Sequence, residues 1–351
     1  MNLSKFSSSQ DVYFMMLAID EAKKGIFTTR PNPAVGCVLV KDGQIIGTGY
    51  HPKAGEPHAE RFALRAANNQ GFDTTGATAY VTLEPCSHTG RTPPCADALI
   101  DAKVARVVIA SLDTNPKVAG NGVKKLQAAG IEVVTGVCEF EAVQLNRGFL
   151  KAMATGMPYV RLKVAGSLDG RTAMASGESK WITGSGARED VQQLRAKSAA
   201  IITGSGTIIA DNPALTVRSS RLGIASEQIP MPKIVVVDRS CRLQLGDDYQ
   251  VCQNANTLLW RDDLASLLAT LVHQYQCYDV LVEAGSRLSG AFVAAGLVDE
   301  LIVYQAPCIL GATAQPMFGC QLEQLCDQYR FALHAVDRID QDIRLIYHKL
   351  A

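Results

Sequence analysis

The chain has 351 residues, which is long for one domain and comfortable for two. Its 34 basic and 34 acidic side chains balance to a net charge of zero, which argues against a nucleic-acid-binding protein. Hydrophobic residues make up 47% of the sequence, yet no apolar stretch approaches the roughly 20 residues that span a bilayer. The ten cysteines are scattered, and the first 12 residues are too polar for a signal-peptide core. We therefore expect a cytoplasmic protein with reduced cysteines and no membrane contact.

The first half alternates helical and strand periodicity, starting with a helix over 12–22. Two strands over 34–40 and 44–49 follow, joined by a turn whose Asp42-Gly43 pair strongly favours a hairpin. The remaining predicted elements are a helix over 57–67, a strand over 77–83, a helix over 96–101, a strand over 104–111, a helix over 122–129 and a strand over 131–137. This alternation predicts a layered α/β domain.

The pattern resets around 146–158, where two glycines and a proline interrupt it. We place a domain boundary there, which gives domains over 1–149 and 150–351. The second half then alternates again. Its predicted strands cover 159–164, 200–203, 233–238, 279–283, 300–305 and 343–348, and its predicted helices cover 188–199, 262–274 and 286–295. The second domain is therefore also expected to be α/β.

One histidine and two cysteines, His58, Cys86 and Cys95, form a pattern of three zinc ligands. Three protein ligands leave the fourth tetrahedral position open for water, which is typical of catalytic zinc, whereas structural sites are closed. Zinc lowers the pKa of a bound water to about 7. Glu60 would then carry protons from this water to the ring nitrogen and to the departing amine. The order H-x-E followed by P-C…C is the layout of a zinc-dependent nucleobase deaminase.

Both cysteines are expected to be thiolates. Cys95 begins a predicted helix, whose positive N-terminal end favours a thiolate, and the segment after Pro85 is expected to help Cys86 in the same way. His58 and Glu60 are predicted in the first turn of a helix, where they point about 200° apart but converge through the N-terminal tilt of helical side chains. The alternatives are a structural zinc, with His88 as its fourth ligand, and no metal at all.

The eight residues between Cys86 and Cys95 depart from the usual Cys-x-x-Cys of deaminases. With the segments 29–38, 49–51, 55–60 and 84–95, this spacing makes the first half resemble the riboflavin-biosynthesis deaminase family. The resemblance implies a cytidine-deaminase-like α/β/α layered domain that hydrolyses the 2-amino group of a diaminopyrimidinone ribosylamine 5′-phosphate. It also implies that Asn32 and His51 contact the pyrimidine. Four further residues would lie near the substrate, some of them toward its ribose phosphate: His88, Arg91, Asp113 and Asn115.

Two glycine-containing turns follow apolar strands in the second half, at 204–207 and 284–288. Backbone N–H groups at such turns, together with the positive end of a helix, suit an anion such as a phosphate. Neither turn matches the G-x-G-x-x-G of a Rossmann domain, and ordinary turn glycines remain an alternative. The spacing alone does not identify a hydride transfer.

The segments 163–173, 179–183, 207–214 and 283–290 resemble the reductase domain of the same pathway, so the whole chain resembles the bifunctional riboflavin-biosynthesis deaminase/reductase family. The resemblance implies a dihydrofolate-reductase-like α/β domain that uses NADPH to reduce the ribosyl group of the deaminated product to ribityl. The implied cofactor residues are Ala165, Trp181, Thr207, Asp211, Gly285, Ser286, Arg287, Leu288, Ser289, Gly290 and Ala291. The implied substrate residues are Ser179, Arg195, Leu215, Arg218 and Glu283.

Arg195 and Arg218 are expected to bind phosphate, because a guanidinium pairs with it bidentately. The reductase half is expected to work by orienting cofactor and substrate, with Asp211 or Glu283 as alternatives for assisting proton delivery. The resemblance is compatible with a homo-oligomer. The sequence itself does not indicate where an interface between subunits would lie. Two other function classes stay open: a polynucleotide deaminase, which would need an electropositive groove, and a non-catalytic scaffold stabilised by zinc.

Overall fold

The computed structural model describes residues 9–88, 93–115 and 119–350. The chain divides into two compact units, Met1–Thr155 and Gly156–Ala351. The predicted boundary near 149 lies inside the helix Arg147–Thr155, and the units divide where this helix ends. Within the described ranges, no helix is both long and apolar enough to span a membrane.

The first unit contains a five-stranded sheet with the order β2-β1-β3-β4-β5. Its elements are α1 (Ser9–Lys23), β1 (Gly36–Lys41), β2 (Gln44–Tyr50), α2 (Ala59–Asn69), β3 (Thr78–Leu83), α3 (Cys95–Asp101), β4 (Arg106–Ser111), α4 (Asn121–Ala128), β5 (Glu132–Thr135), α5 (Glu139–Leu145) and α6 (Arg147–Thr155). β1 is antiparallel to β2 and β3, whereas β3, β4 and β5 are parallel. Asp42 and Gly43 join β1 to β2 with φ values of 51° and 76°, the left-handed pair that a type I′ hairpin turn requires.

Helices cover both faces of this sheet, which gives the α/β/α layers. One core cluster joins the sheet to α2, α3 and α4, and a second cluster joins it to α1 and α5. Small residues let α2 approach β2 closely: a Cβ at Gly49 would lie 2.5 Å from the carbonyl oxygen of Ala59. This approach fixes the N-terminal end of α2 against the sheet.

The second unit contains an eight-stranded sheet with the order β10-β9-β8-β11-β6-β12-β15-β14 and a two-stranded sheet of β7 and β13. Its elements are β6 (Tyr159–Gly166), β7 (Arg171–Ala173), α7 (Ser185–Lys197), β8 (Ala200–Gly204), α8 (Ser205–Asp211), β9 (Lys233–Val237), β10 (Thr257–Trp260), α9 (Leu264–His273), β11 (Asp279–Glu283), α10 (Ser286–Ala294), β12 (Glu300–Gln305), β13 (Gln315–Pro316), β14 (Phe331–Ile339) and β15 (Asp342–Lys349). Short 3-10 helices cover Ser226–Gln228 and Leu325–Asp327.

The six strands from β10 to β12 run parallel, and β15 and β14 add an antiparallel edge. α9 and α10 pack on one face of the sheet, and α7 and α8 pack on the other. The carboxyl ends of the parallel strands therefore share one edge of the sheet, which is where α/β proteins place their ligands.

Every helix and strand predicted from the sequence is present, most of them with shifted ends, but several elements were missed. α6 contains Gly148, which was interpreted as a break in the pattern. α8 lies between Gly204 and Asn212 and was interpreted as a turn. β14 exposes most of its residues, so it lacks the alternation of apolar and polar residues that marks a half-buried strand.

Candidate active sites

In the first unit, the start of α2 presents His58 and Glu60. The predicted helix start at Pro57 is wrong: α2 begins at Ala59, and His58 is its N-cap residue with an extended backbone at φ −78° and ψ 168°. The predicted 200° separation of His58 and Glu60 on one helix therefore does not apply. The N-cap geometry lets the histidine turn away from the helix while Glu60, in its first turn, stays buried.

The side chains of His58, Cys86 and Cys95 converge on one point. Nδ1 of His58 lies 3.3 Å from Sγ of Cys95 and 3.7 Å from Sγ of Cys86. The three donor atoms lie within 4.8 Å of one another, and His88 is not part of the group. One imidazole nitrogen and two sulfurs form a donor set that suits zinc. Oε2 of Glu60 is buried beside this group without a hydrogen-bond partner, as expected for a carboxylate that faces a ligand of the metal.

The helix α3 stabilises negative charge on Cys86 rather than on its own first residue, Cys95. The backbone N–H of Cys95, which opens α3, donates to Sγ of Cys86 at 3.3 Å. A hydrogen bond from the Cys95 thiol lowers the pKa of Cys86 to about 4, against the opposing effect of burial. The pKa of Cys95 is raised because its thiol donates to Cys86 and is buried. Cys86 is therefore the stronger acid of the pair.

Glu60 has the properties of a general base. Its side chain is only 3% exposed. Burial raises its pKa, and the nearby negative charge of Cys86 raises it further. A carboxylate with a raised pKa takes up a proton more readily near neutral pH, which suits proton transfer beside a metal.

Asn32 and His51, the two residues that the resemblance implies as pyrimidine contacts, lie together. Nδ1 of His51 lies 3.0 Å from the carbonyl oxygen of Pro57, which can only accept, so Nδ1 carries the proton. Nε2 of His51 then accepts from the Asn32 amide nitrogen at 3.0 Å. Burial lowers the pKa of His51, which keeps the ring neutral. The ring of His51 stands edge-on to that of His58, with centroids 5.1 Å apart.

Asp113 is buried and lies close enough to Cys86 for the two charges to interact. The backbone N–H of Asn115 donates to Oδ1 of Asp113 at 2.7 Å. Burial raises the pKa of Asp113 to about 6. The charge of Cys86 raises this pKa further, whereas the charge of His88 lowers it. Arg91 lies outside the described residues.

Glu84 is a site residue that the sequence interpretation missed. Its buried carboxylate accepts four backbone N–H groups, from Asp113 (3.3 Å), Gly120 (2.9 Å), Gly122 (2.9 Å) and Val123 (3.2 Å). Glu84 thus ties the end of β3, which leads to Cys86, to the start of α4. Its place directly before Pro85-Cys86 was the available signal.

In the second unit, a cleft of about 1230 Å³ lies at the carboxyl ends of β6, β8, β9 and β11. It brings together most residues that the resemblance implies. These are Ala165, Ser179, Trp181, Arg195, Thr207, Asp211, Leu215, Arg218, Glu283, Gly285, Ser286, Arg287, Leu288 and Ala291. Thr207 and Asp211 lie one turn apart on α8, and Gly285 is the N-cap residue of α10.

Ser289 and Gly290, also implied as cofactor residues, do not line the cleft. Ser289 is fully buried, and its hydroxyl donates to the carbonyl oxygen of Ala284 at 3.2 Å. A Cβ at Gly290 would lie 2.9 Å from backbone atoms of Gly319. Both residues are therefore packed against neighbouring parts of the protein and are not open to the cleft.

Arg195, which was predicted to bind phosphate, lines the cleft and forms a bidentate ion pair with Glu283. Nε and Nη2 of Arg195 contact the two carboxylate oxygens of Glu283 at 2.6 and 3.0 Å, and Nη1 donates to the carbonyl oxygen of Thr216 at 3.2 Å. The Nε/Nη2 edge expected for a bidentate phosphate contact is thus occupied. Burial alone would raise the pKa of Glu283, but the charge of Arg195 outweighs it and lowers the pKa.

Lys163 is a second residue that the sequence interpretation missed. It lines the cleft on β6 and is the cross-strand neighbour of Glu283 on β11. Burial lowers the pKa of Lys163, while the charge of Glu283 acts in the opposite direction. Lys163 lies in the segment 163–173 that resembles the reductase, but its sequence position alone gave it no role.

The cleft is strongly positive although the chain is neutral. Its lining has eight basic residues, Lys163, Lys180, Arg188, Arg195, Arg218, Arg239, Arg242 and Arg287, against two acidic ones, Asp211 and Glu283. Within the described parts of the chain, the guanidinium groups of three of these, Arg218, Arg239 and Arg287, have no hydrogen-bond or ion-pair partner. A cleft with this charge suits phosphorylated ligands.

Two family models match the chain, one for each unit. The cytidine and deoxycytidylate deaminase zinc-binding region matches residues 8–111, and the RibD C-terminal domain matches residues 158–345. The first match contains His58, Cys86 and Cys95. The second contains the residues that line the cleft.

Relatives match almost the whole chain. The riboflavin biosynthesis protein RibD of Escherichia coli (strain K12) is 49% identical over 96% of this chain and 98% of its own length. That of Haemophilus influenzae is 46% identical over 97% of this chain. Among solved structures, Acinetobacter baumannii RibD superimposes with a TM-score of 0.92 at 54% identity, covering 97% of this chain and 99% of its own. A deaminase/reductase from Thermotoga maritima superimposes with a TM-score of 0.88 at 35% identity, covering the same shares of the two chains.

Proposed function

This chain belongs to the RibD family of riboflavin-biosynthesis proteins and is therefore a bifunctional deaminase and reductase, for which we propose 2,5-diamino-6-(5-phosphoribosylamino)pyrimidin-4(3H)-one as the substrate. Deamination in the first unit comes first, and reduction of the ribosyl group in the second unit then gives 5-amino-6-(5-phosphoribitylamino)uracil. Family membership removes the basis for the polynucleotide-deaminase and scaffold alternatives. The observation that carries the proposal is the convergence of His58, Cys86 and Cys95 beside the buried, unpartnered oxygen of Glu60.

We propose that His58, Cys86 and Cys95 hold zinc. When bound, zinc supplies a water of lowered pKa beside the ring carbon that is attacked. Glu60 takes the proton at Oε2 and passes it to the pyrimidine, a transfer supported by its burial and raised pKa.

Asn32 and His51 would orient the pyrimidine. The neutral His51 accepts one amide N–H of Asn32, and this contact fixes which way the amide faces. Within the described residues, Oδ1 of Asn32 has no protein partner, so it can accept an N–H of the ring. Asp113, whose pKa is about 6, lies in the loop after β4, and we propose that it also lies beside the substrate.

The second unit would bind a nicotinamide cofactor and the deaminated product in its cleft. We propose NADPH rather than NADH, because the turn after β9 places Arg239 and Arg242 on the cleft wall, where a 2′-phosphate would find cationic partners. For proton delivery, Glu283 is disfavoured since Arg195 keeps it ionised. Lys163 is the better proton source, because it lines the cleft and burial lowers its pKa. Asp211, which also lines the cleft, remains the other carboxylate candidate.

The test is to incubate the zinc-loaded protein with the proposed substrate, with and without NADPH, and to follow ammonia release and NADPH absorbance together. Ammonia in both tubes, and NADPH loss that follows it in one, is the expected result. Ammonia without NADPH loss would refute the reductase assignment or indicate a different reductant. No ammonia from zinc-loaded protein would refute the substrate.

The cofactor proposal has its own test. We expect Arg239→Ala to raise the KM for NADPH by about tenfold, as for the loss of a charged hydrogen bond, and to leave the KM for NADH unchanged. Equal effects on both cofactors would argue against a 2′-phosphate contact at this turn.

A further inference from the structure

One face of α7 holds the segment 216–219 at three points. Residues 189, 192 and 195 are spaced three apart, so they line one side of the helix. Arg195 donates to the carbonyl oxygen of Thr216 at 3.2 Å, and Oε1 of Gln192 accepts the backbone N–H of Arg218 at 2.8 Å. The carboxylate of Glu189 accepts from the hydroxyl of Ser219.

Burial along this segment alternates, which fixes the direction of its side chains. Leu215, Val217 and Ser219 are buried at 4%, 4% and 7% exposure, while Arg218 between them is exposed. Arg218 lines the cleft. Its guanidinium has no hydrogen-bond or ion-pair partner within the described residues. The helix α7 therefore orders the backbone of Arg218, while the side chain remains available to bind a ligand.

We propose that Gln192 is a positioning residue for phosphate recognition in the reductase cleft, acting through the backbone of Arg218. The inference rests on the proposed function and on the contact that the sequence predicts between Arg218 and the 5′-phosphate of the deaminated substrate. The Gln192 amide oxygen holds the Arg218 N–H, and this fixes the point from which the flexible arginine side chain reaches the phosphate. Without that bond the arginine must be ordered at the moment of binding, which weakens binding of the phosphate.

The experiment compares Gln192→Ala with Gln193→Ala in the full-length protein. Both changes replace a glutamine by alanine in α7, but Gln193 is exposed and does not line the cleft. We expect Gln192→Ala to raise the KM for 5-amino-6-(5-phosphoribosylamino)uracil by about threefold to tenfold, as for the loss of one hydrogen bond, with kcat and the KM for NADPH unchanged. Gln193→Ala should match the wild type. Deamination by the first unit serves as the folding control and should not change in either variant.

Two further measurements separate positioning from a general structural effect. With the dephosphorylated substrate, Gln192→Ala and the wild type should have equal kcat/KM, because the phosphate contact is absent in both. Arg218→Ala should raise the KM for the phosphorylated substrate by about tenfold to a hundredfold, and adding Gln192→Ala to it should have no further effect.

Each outcome bears on the inference. Independent effects of the two substitutions, or an equal loss with the dephosphorylated substrate, would overturn it. If Arg218→Ala impairs reduction while Gln192→Ala does not, the positioning role fails and the phosphate contact stands. If Arg218→Ala leaves the KM unchanged, the proposed phosphate contact fails and the inference fails with it.

Discussion

Replacing Glu84 by glutamine tests how the loops beside the proposed zinc ligands are held in place. The carboxylate accepts two N–H groups on each oxygen: Asp113 and Gly120 on Oε2, and Gly122 and Val123 on Oε1. A glutamine keeps one accepting oxygen and presents an NH₂ group to the other two donors. Two backbone N–H groups therefore lose their partner, and each such loss costs about 1–3 kcal/mol when the group is buried.

We expect Glu84→Gln to destabilise the first unit by about 2–6 kcal/mol, the sum for two lost partners. For a unit of this size, each kcal/mol lowers Tm by about 2–4 °C. Calorimetry should therefore show the transition of the first unit lowered by about 4–24 °C and that of the second unit unchanged. Deamination should fall, because the loop that carries Asp113 loses its anchor, while NADPH oxidation on deaminated substrate continues.

The matched control is Glu139→Gln, which removes the same charge from an exposed position in the first unit. It should leave Tm and both activities near their wild-type values. An unshifted first transition in Glu84→Gln, together with wild-type deamination, would refute the reasoning from the four hydrogen bonds.

Two other substitutions test the separate sites. Glu60→Gln should reduce deamination by about 10²–10⁴-fold while zinc content and reduction are retained, and wild-type turnover would exclude Glu60 as the proton carrier. Arg195→Met leaves Glu283 buried without its partner, so it should destabilise the second unit by about 3–5 kcal/mol and impair reduction equally with phosphorylated and dephosphorylated substrate. A loss confined to the phosphorylated substrate would instead support the phosphate role predicted for Arg195.

The zinc-ligand hypothesis could be made from the sequence because its chemistry depends on residue type and order. A histidine, a glutamate two positions later and two cysteines near prolines are recognisable without knowing where the chain goes. The alternating elements and the Asp42-Gly43 hairpin were predictable for the same reason, since they depend on local backbone preferences. What failed locally was the start of α2, because an N-cap residue and a first helical residue differ by one position.

The partners of individual side chains were decided only by the tertiary structure. The sequence shows only that Arg195 is a cation, which could bind any anion. The fold makes Glu283 its partner, because β11 ends beside α7. Lys163 acquired its lowered pKa from burial on a central strand, and Glu84 found four N–H donors from residues 29 to 39 positions further along the chain. Side-chain chemistry belongs to the residue type, but its use depends on which distant segments the fold brings within hydrogen-bonding distance.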